Sequence, residues 1–242
     1  THRFSPFFLL LVAALAFGGC GRKVEEQQKT TAWDLDPLHR APHASYHLTE
    51  SGADRGRLRL EILHQMMDGR EVIVQRQHLS GPVSGMTETV FESATFVPLY
   101  VQTYEEKSGL LREIRLDFKK NLVVRTVNES LFGGKEATSE TPLQPGTLDE
   151  SQLLTTLRCW PLIAGDTITW TIYSSARNEA GRAEISADAV ADLVLAGEMY
   201  SAQKVRVSLF GEDRIVWIED GKLRRVLLVE GPGQKRLEID PS

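Results

Sequence analysis

Apolar residues recur at every second position along much of the chain. Ile114-Arg115-Leu116-Asp117-Phe118-Lys119 alternates apolar with charged side chains, the period of a strand with one dry face and one wet face. Leu58, Leu60 and Ile62 repeat the pattern with Arg57, Arg59 and Glu61 between them, as do Val205, Val207 and Leu209 against Lys204, Arg206 and Ser208. Turn signals fall between such runs at Asp68-Gly69, Ser108-Gly109, Asn121, Asp220-Gly221 and Gly231-Pro232-Gly233. The pattern predicts an antiparallel meander of about ten strands, because short connections cannot join parallel neighbours.

One segment departs from this period. Thr147-Leu148-Asp149-Glu150 has the form of a capping box, with the Thr147 hydroxyl and the Glu150 carboxylate serving backbone donors at a helix start. Leu153, Leu154 and Leu157 then share one face and Pro161 closes the element, which predicts a helix from Leu148 to Arg158. Thr138 to Gly146, with Pro142 and Pro145, reads as the loop between two β-rich halves. The expected fold is mainly β with one central helix, an α+β arrangement in which the helix covers a curved antiparallel sheet or half-barrel.

The N-terminal segment has a different character. Phe7 to Phe17 is a run of eleven apolar residues preceded by Arg3, long enough for the apolar core of a signal peptide and short of the ~20 residues needed to span a bilayer. Phe17-Gly18-Gly19-Cys20-Gly21 follows and resembles the bacterial lipobox, although Phe17 stands where Leu is usual. The resemblance implies a diacylglyceryl group on the Cys20 sulfur, cleavage just before Cys20, and acylation of the freed amine. Each buried CH₂ contributes ~0.8 kcal/mol, so a second chain converts marginal attachment into stable anchoring. Gly21, in place of the Asp that retains such proteins at the inner membrane, points to the outer membrane facing the periplasm. Two alternatives stay open: cleavage after the small-x-small Ala14-Leu15-Ala16, which would release a soluble protein, and an uncleaved segment. The expected organisation is a signal peptide over 1–19, a flexible tether over 20–55 that turns polar from Gly21, and one β-rich domain over 56–242.

Composition narrows the function classes. The 242 residues are 41% hydrophobic and 25% charged, which fits a globular interior and excludes a multi-pass membrane protein. A net charge of -5 offers no basic face for nucleic acid. The two cysteines, Cys20 and Cys159, make no disulfide framework, and Cys159 beside Trp160 reads as a buried thiol.

Familiar chemical signatures are incomplete. His39, His43 and His47 are four apart, but Pro42 breaks the helix that would align them, so they read as solvated loop residues with no metal site. Gly133-Gly134-Lys135 lacks the upstream glycine of a phosphate loop, and Ser80 to Gly85 is no nucleophile elbow. Asp149 and Glu150 are accounted for by helix capping. No catalytic residue, cofactor or metal is expected. Phe96, Tyr100, Trp170, Tyr173 and Trp217 are candidates to line an apolar cavity for an acyl chain, with core packing as the competing account.

The order GMTETVFESATFVPLY, IRLDF, LDESQLLTTLRCWPLIAGDTITW and GEMYSAQKVRV resembles an uncharacterised family of exported domains of unknown function in Gram-negative bacteria. The architecture also resembles the half-barrel of lipoprotein carriers and receptors, although no functional residue carries over. The expectation is a non-enzymatic envelope protein, held to the membrane by its lipid, whose domain binds an apolar ligand or an envelope protein partner. The alternatives are an envelope hydrolase-like enzyme with a site assembled in three dimensions and a structural scaffold.

Overall fold

The computed structural model describes residues 33–107, 109–130 and 135–240. Cys20, the apolar run and Gly133-Gly134 lie outside the described residues. After a short helix α1 (Asp36–Arg40), eight strands follow: β1 (His43–Glu50), β2 (Ala53–Met67), β3 (Arg70–Ser80), β4 (Ser84–Glu92), β5 (Pro98–Lys107), β6 (Leu110–Lys119), β7 (Leu122–Ser130) and β8 (Lys135–Pro142). Then come β9 (Leu148–Asp149), a 3-10 turn at Glu150–Gln152 and α2 (Leu153–Cys159). Six more strands follow among the described residues: β10 (Thr167–Ser174), β11 (Glu179–Leu195), β12 (Glu198–Leu209), β13 (Glu212–Glu219), β14 (Val226–Gly231) and β15 (Lys235–Ile239). Asp68-Gly69, Gly109, Asn121 and Asp220-Gly221 fall between strands, and Pro232-Gly233 follows Gly231, the last residue of β14.

The fifteen strands form one sheet in the order β8 to β1, then β15 to β9. Two meanders are therefore joined at the middle, where β1 pairs with β15 antiparallel and Tyr46 faces Ile239. Laid flat at 4.7–4.9 Å per strand, the sheet would set its edges β8 and β9 roughly 65 Å apart. Only residues 143–147 connect those edges, and five residues reach roughly 20 Å. The sheet must curve until its edges approach. Across the gap, Thr141 Oγ1 on β8 donates to Asn178 Oδ1 at 3.3 Å, and the Tyr173 hydroxyl on β10 donates to the same oxygen at 2.8 Å. No ladder joins β8 to β9, so the sheet stays open in its backbone pairing.

Four expectations are corrected. The fold is nearly all β, and the helix does not cover the sheet: α2 has seven residues, about 10 Å of length, against a concave wall built from both meanders. Leu148-Asp149, expected to open the helix, instead adds a parallel strand to β10 through Ile172 and Tyr173. Thr138 to Pro142, expected as loop, belongs to β8, paired with β7. The folded unit also starts before Gly56, because Leu38, Tyr46 and Leu48 are buried and β1 is hydrogen-bonded on both sides. Ala44, Tyr46 and Leu48 carry a period-two signal that Pro42 and the neighbouring histidines obscured. Gly56 lies inside β2 at positive φ, and a Cβ there would come 1.8 Å from the Ser80 carbonyl oxygen, so its glycine permits close strand approach rather than marking a domain start.

The main core joins both meanders to α2 through Leu60, Ile62, Ile73, Phe91, Leu153, Leu157, Val205, Val207, Val216 and Leu228. Strand ends gather at two rims. One holds α1, the C-terminal end of α2 and the β2–β3, β11–β12 and β13–β14 connections; the other holds the β1–β2, β3–β4, β12–β13 and β14–β15 turns.

Candidate functional site

The sequence Leu-Asp-Glu-Ser-Gln leads from β9 into α2 on the concave side of the sheet. Asp149 is the capping residue: it is extended, its carboxylate accepts from the Ser151 N–H at 2.8 Å, and its own N–H donates to Gln152 Oε1 at 3.4 Å. The cap thus lies two residues beyond the expected Thr147, whose hydroxyl donates to the Gln144 carbonyl at 2.7 Å.

This turn is fastened to both meanders. The Ser151 carbonyl accepts from Gln75 Nε2 at 2.7 Å and Gln77 Nε2 at 3.0 Å on β3. The Ser151 hydroxyl shares a 2.6 Å hydrogen bond with Thr89 on β4, and Gln152 Nε2 donates to the Phe96 carbonyl at 2.7 Å. On the opposite side, Arg214 of β13 donates to Glu150 Oε1 at 2.8 Å, with both side chains less than a tenth exposed.

Beside the turn, opening toward the rim of the β14–β15 turn, is a partly open cavity of about 150 Å³. Leu48, Leu58, Leu79, Val101, Val216 and Val229 supply apolar wall, Asp149, Glu150, Ser151 and Arg214 form a polar wall, and Lys235 and Arg236 contribute cations. Burial pushes the Asp149 carboxyl up to about 7, against the opposing pull of its Ser151 hydrogen bonds. Asp149 Oδ2 and Glu150 Oε2 are buried without a hydrogen-bond partner. Unpaired buried oxygens beside apolar wall can receive a donor from a ligand or a water. Near neutral pH the Asp149 carboxyl exchanges between an acceptor-only group and one that can also donate.

The five expected aromatics do not line this cavity. Phe96 is fully buried against Phe91 and Trp33, with ring centroids 5.2 and 4.3 Å apart. Trp170 packs with the same Trp33 and with Trp160 at the α1 rim. Tyr100 donates to Glu88 at 2.8 Å, Tyr173 packs edge-on to Phe118, and Trp217 lies beneath the Lys204 ammonium. His39 on α1 stacks on His64, while His43 and His47 lie on β1. Among the described residues no cluster of His, Cys, Asp or Glu could hold a metal ion. Cys159 is fully buried, and burial pushes its thiol up to about 12. A second groove, of about 560 Å³, lies over β1 to β3 among His43, Arg57, Arg59, Glu61, His78 and Asp240.

Asp149 and Glu150 were visible in the sequence as capping residues. Ser151, Gln75, Gln77 and Arg214 were not, because only the curvature of the sheet brings β3, β4 and β13 to the same turn. No curated protein and no solved structure matches the chain. A family model described as a protein of unknown function, DUF3108, matches residues 45–239. That span begins within β1 and ends at the last residue of β15, its partner at the centre of the sheet, and on this match the chain belongs to the DUF3108 family.

Proposed function

We propose that this chain is a lipid-anchored protein of the bacterial cell envelope, held at the outer membrane through Cys20, whose β domain binds a small amphipathic ligand without chemical turnover. The observation that carries the binding reading is the partly open cavity, with its apolar wall and with Asp149, Glu150, Ser151 and Arg214 on one side. Apolar cavities of about 150 Å³ accept a benzene-sized group, whereas drug-sized ligands need about 300 Å³ or more. The cavity therefore suits the end of an acyl chain or a single small ring, with a hydroxyl or amide N–H directed at Asp149 or Glu150. The apolar run from Phe7 to Phe17 followed by Gly18-Gly19-Cys20 supports the anchor.

Native mass spectrometry of the full-length protein purified from its own envelope is the direct test, paired with titration of a fluorescent fatty acid. Val101, nearly buried on the cavity wall, can be enlarged to Trp at a cost of about 1–3 kcal/mol in overpacking. A retained ligand or probe that Val101→Trp displaces is the expected result. Protein that carries no ligand and binds the probe equally in both forms rejects the binding reading. Intact mass of the mature protein, with and without Cys20→Ser, decides the anchor separately.

A further inference from the structure

The exposed apolar side chains are distributed unevenly between the two rims. Of the eight large apolar side chains exposed among the described residues, Met66, Ile163, Val190, Val194, Met199 and Leu223 lie in the part of their element nearer the α1 rim, Met199 exposed to 73% and Val194 to 65%, whereas Leu110 and Leu111 lie beside the β5–β6 turn at the other rim. The link is physical in each case. Val194 and Met199 are direct cross-strand partners next to the β11–β12 turn. The Ile163 loop is held to β11 by the Gly165 N–H on the Ala187 carbonyl, and Leu223 by its carbonyl on the Arg158 guanidinium at the end of α2. Met66 sits two residues beyond His64, which stacks on His39 of α1.

The β11–β12 hairpin gives the sharpest indication. Alternation along a strand puts one set of side chains inward and the other outward. Leu195 is buried and Leu193 and Tyr200 pack on the core, so that face accounts for itself. The outward face, where water would favour polar residues, carries Val190, Val194 and Met199 alongside Asp192 and Ser201. Trp33, Trp160 and Trp170, all partly exposed, cluster at the same rim with centroid separations of 4.9 to 6.0 Å. Exposed Lys222 adjoins Leu223.

We infer that this rim rests on the surface of a phospholipid bilayer, with the β11–β12 hairpin tip and the Ile163 loop entering the interfacial layer. The inference builds on the proposed anchor, because Trp33 begins the described chain at this rim and twelve residues separate it from Cys20. Those residues reach about 45 Å at full extension, which keeps the rim near the membrane that holds the lipid. Tryptophan concentrates at membrane interfaces, where its ring is apolar and its N–H is wet. Lys222 can extend its ammonium toward lipid phosphate while its stem lies along apolar surface. Asp192 and Glu198 flank the hairpin tip, so a zwitterionic surface fits better than a strongly anionic one. In this orientation the ligand cavity, at the other rim, opens away from the membrane.

The test uses full-length lipidated protein in phosphatidylcholine vesicles at low protein density, with a polarity-sensitive thiol dye on Met199→Cys or on Leu111→Cys. Cys159 is buried with a raised thiol pKa and stays unlabelled, and Leu111 is exposed on β6 near the β5–β6 turn. The expected result is a blue shift at position 199 and loss of most of its emission to nitroxide-bearing lipids, with position 111 unaffected. Lipidated protein whose position 199 emits as in water overturns the inference and leaves the anchor standing. A blue shift at 199 that nitroxide lipids do not quench also overturns it, since a second copy or a protein partner then covers the face. Protein found by mass to lack the lipid, yet quenched at 199 when it meets vesicles, retains the surface and removes the anchor. Adding Val194→Glu to the labelled protein should abolish the quenching while the label at 111 is unchanged; persistence of quenching at 199 counts against the hairpin as the contact.

Discussion

The two ends of the α2 segment are both polar and buried, yet they are solved differently. At the C-terminal end, Arg158 is 2% exposed and its guanidinium donates to the Pro37, Ala41 and Arg224 carbonyls at 2.8 to 3.1 Å. Arg224 returns the arrangement by donating to the Arg158 and Trp160 carbonyls at 2.7 and 3.0 Å. Cations against the last carbonyls of a helix are favourable for both hydrogen bonding and the helix dipole. At the N-terminal end, Asp149 and Glu150 each make one strong attachment and leave the second oxygen without a partner. The first end is built to hold α1 and the β13–β14 loop in place. The second lines a partly open cavity, which is why a ligand is proposed there.

The largest expected effects come from breaking either polar attachment. Arg158→Ala removes donors from carbonyls in α1 and the β13–β14 loop and should cost about 3 kcal/mol or more, at about 1–3 kcal/mol for each buried acceptor left unsatisfied. Glu150→Gln removes the carboxylate charge from its buried pair with Arg214 and should cost about 3 to 5 kcal/mol, whereas Glu150→Leu with Arg214→Met should recover much of that loss. Urea denaturation of the three proteins measures this. A Glu150→Gln protein as stable as the parent would show that the pair is better hydrated than its burial implies.

A smaller contrast separates two leucines of α2. Leu157 is fully buried in the main core, so Leu157→Ala should cost about 2–5 kcal/mol. Leu154 is only partly buried and lines the cavity, so Leu154→Ala should cost less and should widen the space available to a bound probe. Equal destabilisation of the two variants with unchanged probe binding would remove Leu154 from the cavity wall.

The last contrast is a pH dependence. An Asp whose folded pKa is raised contributes stability that is fully present below its unfolded value, about 4, and is lost as pH rises through its folded value, about 7. Asn caps a helix about as well as Asp. Asp149→Asn should therefore flatten the decline in stability between about pH 4 and about pH 7 while leaving the helix start intact. Parallel slopes for parent and variant would show that Asp149 ionises as easily folded as unfolded.

What the sequence determined by itself was local. Period-two runs gave the strand character of β2, β6 and β12, glycine-bearing turns gave the hairpin ends, and Pro161 marked where α2 could not continue. Those signals depend on a residue and its near neighbours. The same locality caused the misplacements. Thr147 and Asp149 both suit a cap, and the choice went to Asp149 because Leu148-Asp149 found a strand partner in β10. Tyr46 and Leu48 looked like tether until β2 and β15 closed on β1 from either side. Only the tertiary structure decided that fifteen strands form one sheet, that its two meanders join at β1 and β15, and that Gln75, Thr89 and Arg214 meet at one turn. These outcomes follow from curvature and chain closure over separations of up to about two hundred residues, for which a periodicity read along the sequence carries no register.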